Sequence, residues 1–508
     1  MKKKANGKNL LRKLTQQEIV FIIVVSMLFS FLTIWFISAN LDEEFGLSPF
    51  VLGGGTATRV TTPQAGISRV PIGGPSSPWS KKWQWEYPGY VYLDGPEGQL
   101  VAIGNGDSKV FLKMEYDQFP ETLFDVVNGD PATPLFNYDY IPPFGGSDEG
   151  LAVDASEISD IFATVVYRKD GFSGPSKYIL RVYDSSGFLW EYDSFGPPSF
   201  GSSYGADIAV SGNGNKIVVS TATSSSIEIT VFDLTLPSPQ LSPDIRNPNV
   251  LVSSGKSIIS KDLSTILLMS GIWYDVYDVS TDSLISIFSA SSSEFQSNLI
   301  GGISSDGNLI AIQTLNGSFS TGIDYGINFY EKQGNSYIHS GWIGGPISSV
   351  NFGPLVISDD KSTFATGWSG VAGGNPYDGF IVQAIDLTPG SFGTILMQDS
   401  LVGDQNSGSL TNLVSAMDIS DDGQIVAVGS LGDVAELFGE VLVYNLGNVN
   451  PSNPEFNYRA FENEVDGTGS VHDLDLSSDG KKLAVAVSAG HPFVGGQDGG
   501  GVFYFERV

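Results

Sequence analysis

One short phrase recurs along this chain and limits what it can fold into. Residues 303–312 read ISSDGNLIAI, 419–428 read ISDDGQIVAV and 476–485 read LSSDGKKLAV. Looser copies are VSGNGNKIVV (210–219), ISKDLSTILL (259–268) and ISDDKSTFAT (357–366), with two degenerate ones around 155–164 and 95–103. Each couples a strand ending in Ser, a polar turn that often carries Asp-Gly, and a second strand of small apolar residues. Gly in such a turn tolerates positive φ. Self-similarity at this spacing means a closed or stacked array of small sheets.

A third strand follows each hairpin after a variable loop. It appears at 227–234 (IEITVFDL), 273–279 (WYDVYDV), 326–330 (GINFY), 380–387 (FIVQAIDL), 440–446 (EVLVYNL) and 501–506 (GVFYFE), and earlier at 177–184 and 109–116. A polar turn and a fourth, outer strand complete the unit. A lone four-stranded sheet exposes both faces and must pack against neighbours. The all-apolar second strands suit sheets covered on both sides. Arranged radially, such sheets make an all-β, four-stranded antiparallel β-propeller. The residues matching Ser304 are Gly95, Ser156, Ser211, Ser260, Ser358, Ser420 and Ser477, so eight blades are favoured over seven plus an extra hairpin. The chain ends on a third strand. The missing outer strand is expected from residues 83–87, closing the ring and removing an exposed edge.

The Ser-x-Asp-Gly turn, the small apolar strand and the strand closing in Val-x-Asp-Leu resemble degenerate WD-repeat or lactonase-type propeller blades over residues 83–508. No copy has the Gly-His dipeptide or the closing Trp-Asp of true WD repeats. The lactonase-type resemblance implies a divalent ion on the central axis, calcium for example, held by side chains from several blades. No position of this chain is matched to that pattern.

Charge is distributed unevenly. Six of the 26 Lys and Arg precede residue 14, and Glu18 is the one acidic residue before a long apolar run; the remainder holds 20 basic against 55 acidic residues. Phosphates and anionic headgroups would be repelled by such a surface, which excludes a nucleic-acid partner. The chain has no cysteine, so disulfides, thiolate metal sites and thiol catalysis are all excluded.

The apolar run, IVFIIVVSMLFSFLTIWFI at 19–37, has 19 uncharged residues. At 1.5 Å per residue it spans about 28 Å, enough for a hydrocarbon core of about 30 Å. Basic residues precede it, and Asp42, Glu43 and Glu44 follow. The expected organisation is a cytoplasmic tail (1–18), an uncleaved signal anchor (19–38), a Gly/Pro/Thr/Ser-rich stalk (39–82) and an extracytoplasmic propeller (83–508). The competing expectation is a signal peptide cut after Ala39.

Chemistry is harder to find. His339, His472 and His491 are scattered without metal-ligand spacing, and no nucleophile elbow or phosphate cradle occurs. Asp359-Asp360, Asp421-Asp422 and Asp479 fall in the repeated turns, where carboxylates cap backbone N–H groups. Trp79, Trp83, Trp85, Phe195, Phe200, Tyr204, Trp342, Trp368 and Tyr377 lie outside the periodic strands and are read as plugs between blades, or else as stacking surfaces. No residue is assigned a catalytic, cofactor-binding or metal-ligating role, and the balance is against an enzyme. The favoured reading is a membrane-anchored module whose long loops (290–299, 369–379, 429–439 and 489–500) bind a protein or glycan. The alternatives are a structural component of a cell envelope or virion surface, and a divalent-ion-dependent hydrolase or lactonase.

Overall fold

Eight four-stranded antiparallel sheets follow one another around a ring, each running from an inner to an outer strand. The computed structural model describes residues 77–508 except 88–99, 114–120, 128–132, 139–146, 170–174, 197, 199–204, 224–225, 237–242, 249–254, 271–272, 290–299, 319–321, 345–350, 370–379, 402–413, 433–438, 460–469 and 489–499. The tail, anchor and most of the stalk read from the sequence lie outside the described residues. Among the described residues no helix is long and apolar enough to cross a membrane.

The inner strands of blades 1 to 8 are Leu100–Gly104, Ser147–Ala155, Ala206–Val210, Gly255–Ile259, Gly301–Ile303, Asn351–Ile357, Val414–Ile419 and Ser470–Leu476. The outer strands of blades 1 to 7 are Phe136–Tyr138, Gly187–Tyr192, Asp244–Arg246, Ser283–Ser289, Ser336–Gly344, Thr394–Leu401 and Phe456–Arg459. Blade 8 is different. Its outer strand is Trp79–Tyr87, from the opposite end of the chain, paired antiparallel with Gly500–Arg507.

Ring closure follows the sequence expectation, but the closing strand starts at Trp79 rather than residue 83. Trp79 is 4% exposed, its ring 6.1 Å from that of Phe456, and its Nε1 donates to Glu455 Oε1 at 2.7 Å. That anchorage draws 79–82, read from sequence as stalk, into the sheet. The first blade also needs correction. Its turn is Asn105 to Ser108 after Gly104, so Gly104 and not Gly95 matches Ser304, and Lys109–Lys113 is the second strand rather than the third. The third is Glu121–Asp125.

Second strands lie inside each sheet and their described residues are mostly buried, as in Ile425–Ser430. The apolar cores lie between successive blades: Val165, Leu180, Ile208 and Val219 pack across the blade 2–3 seam. Rings fill the outer parts of several seams. Trp83 lies 5.2 Å from Phe124 and 5.5 Å from Tyr504, while Trp190 meets Phe232 at 5.6 Å. Burial at about 25 cal/mol per Å² across such seams makes the blades mutually dependent.

Up-and-down strand order sorts the connections by face. Inner-to-second and third-to-outer turns share one face, here the turn face. Second-to-third and blade-to-blade connections leave strand ends at the opposite rim, here the loop face.

Candidate functional site

The repeated turn is a hydrogen-bonding device. Ser304 Oγ donates to Asp306 Oδ1 at 2.7 Å and accepts from the Leu309 N–H at 3.0 Å. Asp306 Oδ1 also accepts from the Asn308 N–H, and the Gly307 N–H donates to the Ser304 carbonyl. Ser420 with Asp422 and Ser358 with Asp360 repeat the arrangement. Gly307 has φ of 66°, a region that L side chains rarely adopt, and an added Cβ would collide with Thr265 of the preceding blade. Asp360, Asp422 and Asp479 therefore shape turns, as read from the sequence.

Adjacent turns are then tied together. The Ile158 N–H donates to the Gly212 carbonyl, Asp262 to Ser305, Asp360 to Asp421 and Asp421 to Ser478. Deeper in, aspartates on the inner strands bridge seams. Each inner strand is the edge of its sheet, and in blades 1, 3, 4 and 8 a carboxylate from the preceding blade supplies a partner to its N–H groups. Asp154 accepts from Val210, Asp207 from Ile259 at 2.9 Å, Asp418 from Leu476 at 2.8 Å, Asp473 from Val101 at 2.9 Å and Asp475 from Ile103. Burial raises Asp154 to about 6 and Asp207 and Asp473 to about 7, against the pull of those N–H bonds. Asp475 is raised well above the usual range by burial and by neighbouring Asp418, itself raised by burial.

On the turn face, the residues following the repeated Ser converge on the axis. Lys261 of blade 4 extends its ammonium to Glu157 of blade 2 at 3.2 Å, Asp421 of blade 7 at 3.5 Å and Asp359 of blade 6 at 3.7 Å. One cation thus ties three carboxylates from across the ring. Burial opposes the charge on Lys261, but Asp359, Asp421 and Glu157 more than offset this, holding it protonated. Asp359 is raised by burial and by Asp421 beside it, with Lys261 opposing. A cavity of about 260 Å³ lies here, lined by Asp154, Glu157, Lys261, Asp306 and Asp359 among others. Among the described residues no group of three or more His, Cys, Asp or Glu is arranged to hold a metal.

Towards the loop face, blades 1 and 2 enclose an ionic cluster. Arg181 is fully buried and donates to Glu121 and, through Nη1 and Nη2, to Asp148 at 2.8 and 2.9 Å. Lys113 and Arg168 also lie against Asp148, at 3.6 and 3.1 Å. Burial works against the Arg181 charge, and Glu121 and Asp148 restore it. The opposite balance holds Asp148 below the usual carboxylate range, where Lys113 and Arg181 outweigh burial. Such a balanced cluster fixes how two blades meet.

Other residues singled out from the sequence are dispersed. His339 is exposed on the outer strand of blade 5, with Nε2 2.8 Å from Asn328 Oδ1. His472 is half-buried on the inner strand of blade 8, and His491 lies outside the described residues. Trp79, Trp83, Trp85 and Phe195 pack against other rings. Phe200, Tyr204 and Tyr377 lie outside the described residues, as does the Trp368 side chain. Trp342 is exposed on blade 5. The inner-strand aspartates and Lys261 were missed. Their signals were an Asp two or four places before the repeated Ser, inside an apolar strand, and a lone Lys directly after it.

No family model matches the chain, and no curated protein matches it in sequence. Several solved structures are similar to the chain. A chain in "Complex of KlAtg21 with coiled-coil of AgAtg16" is 11% identical, covering 73% of this chain and 98% of that one, with a TM-score of 0.46. "Structure of Dos1 propeller" is 11% identical over 82% and 95%, with a TM-score of 0.47. "Kluyveromyces lactis Hsv2" is 11% identical over 67% and 92%, with a TM-score of 0.40. The eight-bladed propeller itself is read from the chain's own sheets.

Proposed function

We propose that the chain is a membrane-anchored, extracytoplasmic propeller that binds a protein partner on its loop face. One observation carries the reading: the two faces differ in kind. Near-identical Ser/Asp turns, bonded to each other and gathered around Lys261, occupy one. Long unlike connections leave the strand ends at the other, including 370–379, 402–413, 460–469 and 489–499. Rigid scaffolds carry recognition on such variable loops. The apolar run at 19–37, with basic residues before it and acidic ones after, supports an anchor with the propeller outside.

The absence of cysteine makes the test direct. Lys169→Cys lies at the loop-face end of a strand, and Val449→Cys is fully exposed on a turn-face connection. In intact cells, both should react with a membrane-impermeant maleimide. A photocrosslinker attached there should give a protein conjugate from position 169 and none from 449. Protection of both in intact cells would refute the exported orientation. Conjugation from 449 alone would refute the loop face, and conjugation to carbohydrate alone would make the ligand a glycan.

A second reading, a laterally packed component of an envelope or virion surface, draws on the exposed apolar residues of the outer strands: Phe188, Ile245, Leu284, Ile338 and Ile395.

A further inference from the structure

A cavity of about 660 Å³ opens on the turn face between blades 3 and 4. Small-molecule sites typically occupy about 300–1,000 Å³. The cavity lies where the ladder of turns skips a rung. The Ile158 N–H and the Gly212 carbonyl join the turns of blades 2 and 3, and Asp262 and Ser305 join those of blades 4 and 5. Among the described residues, no hydrogen bond joins the blade 3 turn to the blade 4 turn. The seam is braced on either side instead. Towards the axis the Ile259 N–H donates to Asp207 Oδ2 at 2.9 Å, and towards the outside Arg246 Nη1 donates to the Val279 carbonyl. The hollow is therefore part of the closed ring.

Its depth is aliphatic and its rim polar. Val218 and Leu263 are buried, and Val231 and Val279 pack against the same core. Leu263 stands where other turns have Gly214, Gly307, Gly423 and Gly480, and at φ of 62° it keeps their left-handed backbone. Strain of that kind is retained where the added side chain serves a site. At the rim, the Asn215 amide and the Lys216 ammonium are exposed and enter no hydrogen bond or ion pair among the described residues. Asp233 and Asp262 commit Oδ1 to their own turns, through Thr235 and Ser264, which leaves Oδ2 as an acceptor.

We propose that this cavity is a binding site for a neutral oligosaccharide. Charge and backbone select that occupant. Asp233 and Asp262 at the rim, and a net charge of −30 over the chain, oppose an acidic ligand. Lys216 opposes a cationic one, and the Arg246 charge is already met by Asp244, which accepts from Nε at 3.0 Å. The blade 3 strands that bound the cavity, Lys216–Ala222 and Ile227–Asp233, are paired on both edges, so no edge is open to an extended peptide. A sugar hydroxyl both donates and accepts, which matches a rim that alternates amide and ammonium donors with carboxylate acceptors. The aliphatic depth takes the C–H faces of the ring. The site opens on the face opposite the loops and is independent of a partner bound there.

The test uses the detergent-solubilised full chain and an array of neutral oligosaccharides of glucose, galactose, mannose and N-acetylglucosamine, with sialylated and sulfated ones beside them. Neutral members should be retained, equally at low and high salt. Asn215→Ala and Lys216→Ala should each weaken retention at least fivefold and leave the melting temperature within a few degrees. Asn308→Ala removes the amide at the same place in the blade 5 turn and should leave retention unchanged. So should Lys169→Cys capped with a bulky maleimide, which obstructs the loop face. No retention of any neutral sugar, preference for acidic ones, equal losses from positions 215 and 308, or loss on capping position 169 would each overturn the proposal.

Discussion

Asp473 Oδ2 accepts the backbone N–H of Val101 at 2.9 Å, so a carboxylate of the last blade bonds an edge strand of the first. Asp475 does the same for Ile103. The seam where the chain meets itself is thus fastened at its inner rim by two aspartates, as well as at its outer rim by Trp79–Tyr87.

These carboxylates dictate a pH response. In the unfolded chain they titrate near 3.8, but in the folded one Asp154 titrates near 6 and Asp207 and Asp473 near 7. Folding therefore favours the protonated form, and this stabilisation is full below about pH 4 and is lost as pH rises through 6 and 7. Each such group accounts for a few kcal/mol at most. Carboxylates held low by partners, such as Asp278 at about 2, act the other way and only below pH 4. Melting temperature should therefore fall from pH 5 to pH 8, and Asp473→Asn should flatten the slope while keeping an acceptor for Val101. A melting temperature that rises over this range would contradict the assignment.

Lys261 is the shared counter-ion of Glu157, Asp359 and Asp421. Its side chain is half exposed, so Lys261→Met should cost about 1–3 kcal/mol rather than the larger loss of a dry ion pair. Millimolar calcium should restore part of that loss and leave the wild-type melting temperature unchanged. Equal calcium responses in the two proteins would show that the ammonium does not hold the place of an ion.

Two glycines separate local strain from collision. Gly307 and Gly334 have nearly the same φ, 66° and 64°, but a Cβ at 307 meets Thr265 while nothing lies within 4 Å at 334. Gly334→Ala should cost about 1 kcal/mol, and Gly307→Ala about 1–3 kcal/mol more, read by denaturant unfolding.

Trp79 joins the closing strand to the blade 7–8 core. Trp79→Ala should destabilise by about 3–5 kcal/mol. Removing residues 77–87 should abolish cooperative unfolding, since blade 8 would lose its fourth strand.

What could be read from the sequence was what is local. Ser304, Asp306 and Gly307 satisfy each other within a few residues, so the turn repeats recognisably and counts the blades. The first blade escaped because Gly104-Asn105-Gly106-Asp107 replaces the Ser and inverts the Asp-Gly order. The closing strand was foreshadowed by a chain ending on a third strand, but its start at Trp79 depends on Phe456 and Glu455, far away in sequence. The axial site depends wholly on contacts between blades. Asp154, Asp418 and Asp475 look like ordinary polar positions until the next blade's N–H is placed beside them. Lys261 finds its partners only across the ring.

Ring closure is the claim on which every face, seam and edge depends. Ser80 and Glu506 are directly paired across the closing strands. Facing residues in antiparallel strands have Cα atoms about 4.5–5.5 Å apart, within the range a disulfide spans. In this cysteine-free chain, Ser80→Cys with Glu506→Cys should oxidise to an intrachain disulfide that raises the melting temperature. Two free thiols in the folded oxidised protein, or crosslinks only between chains, would contradict the closed eight-bladed ring.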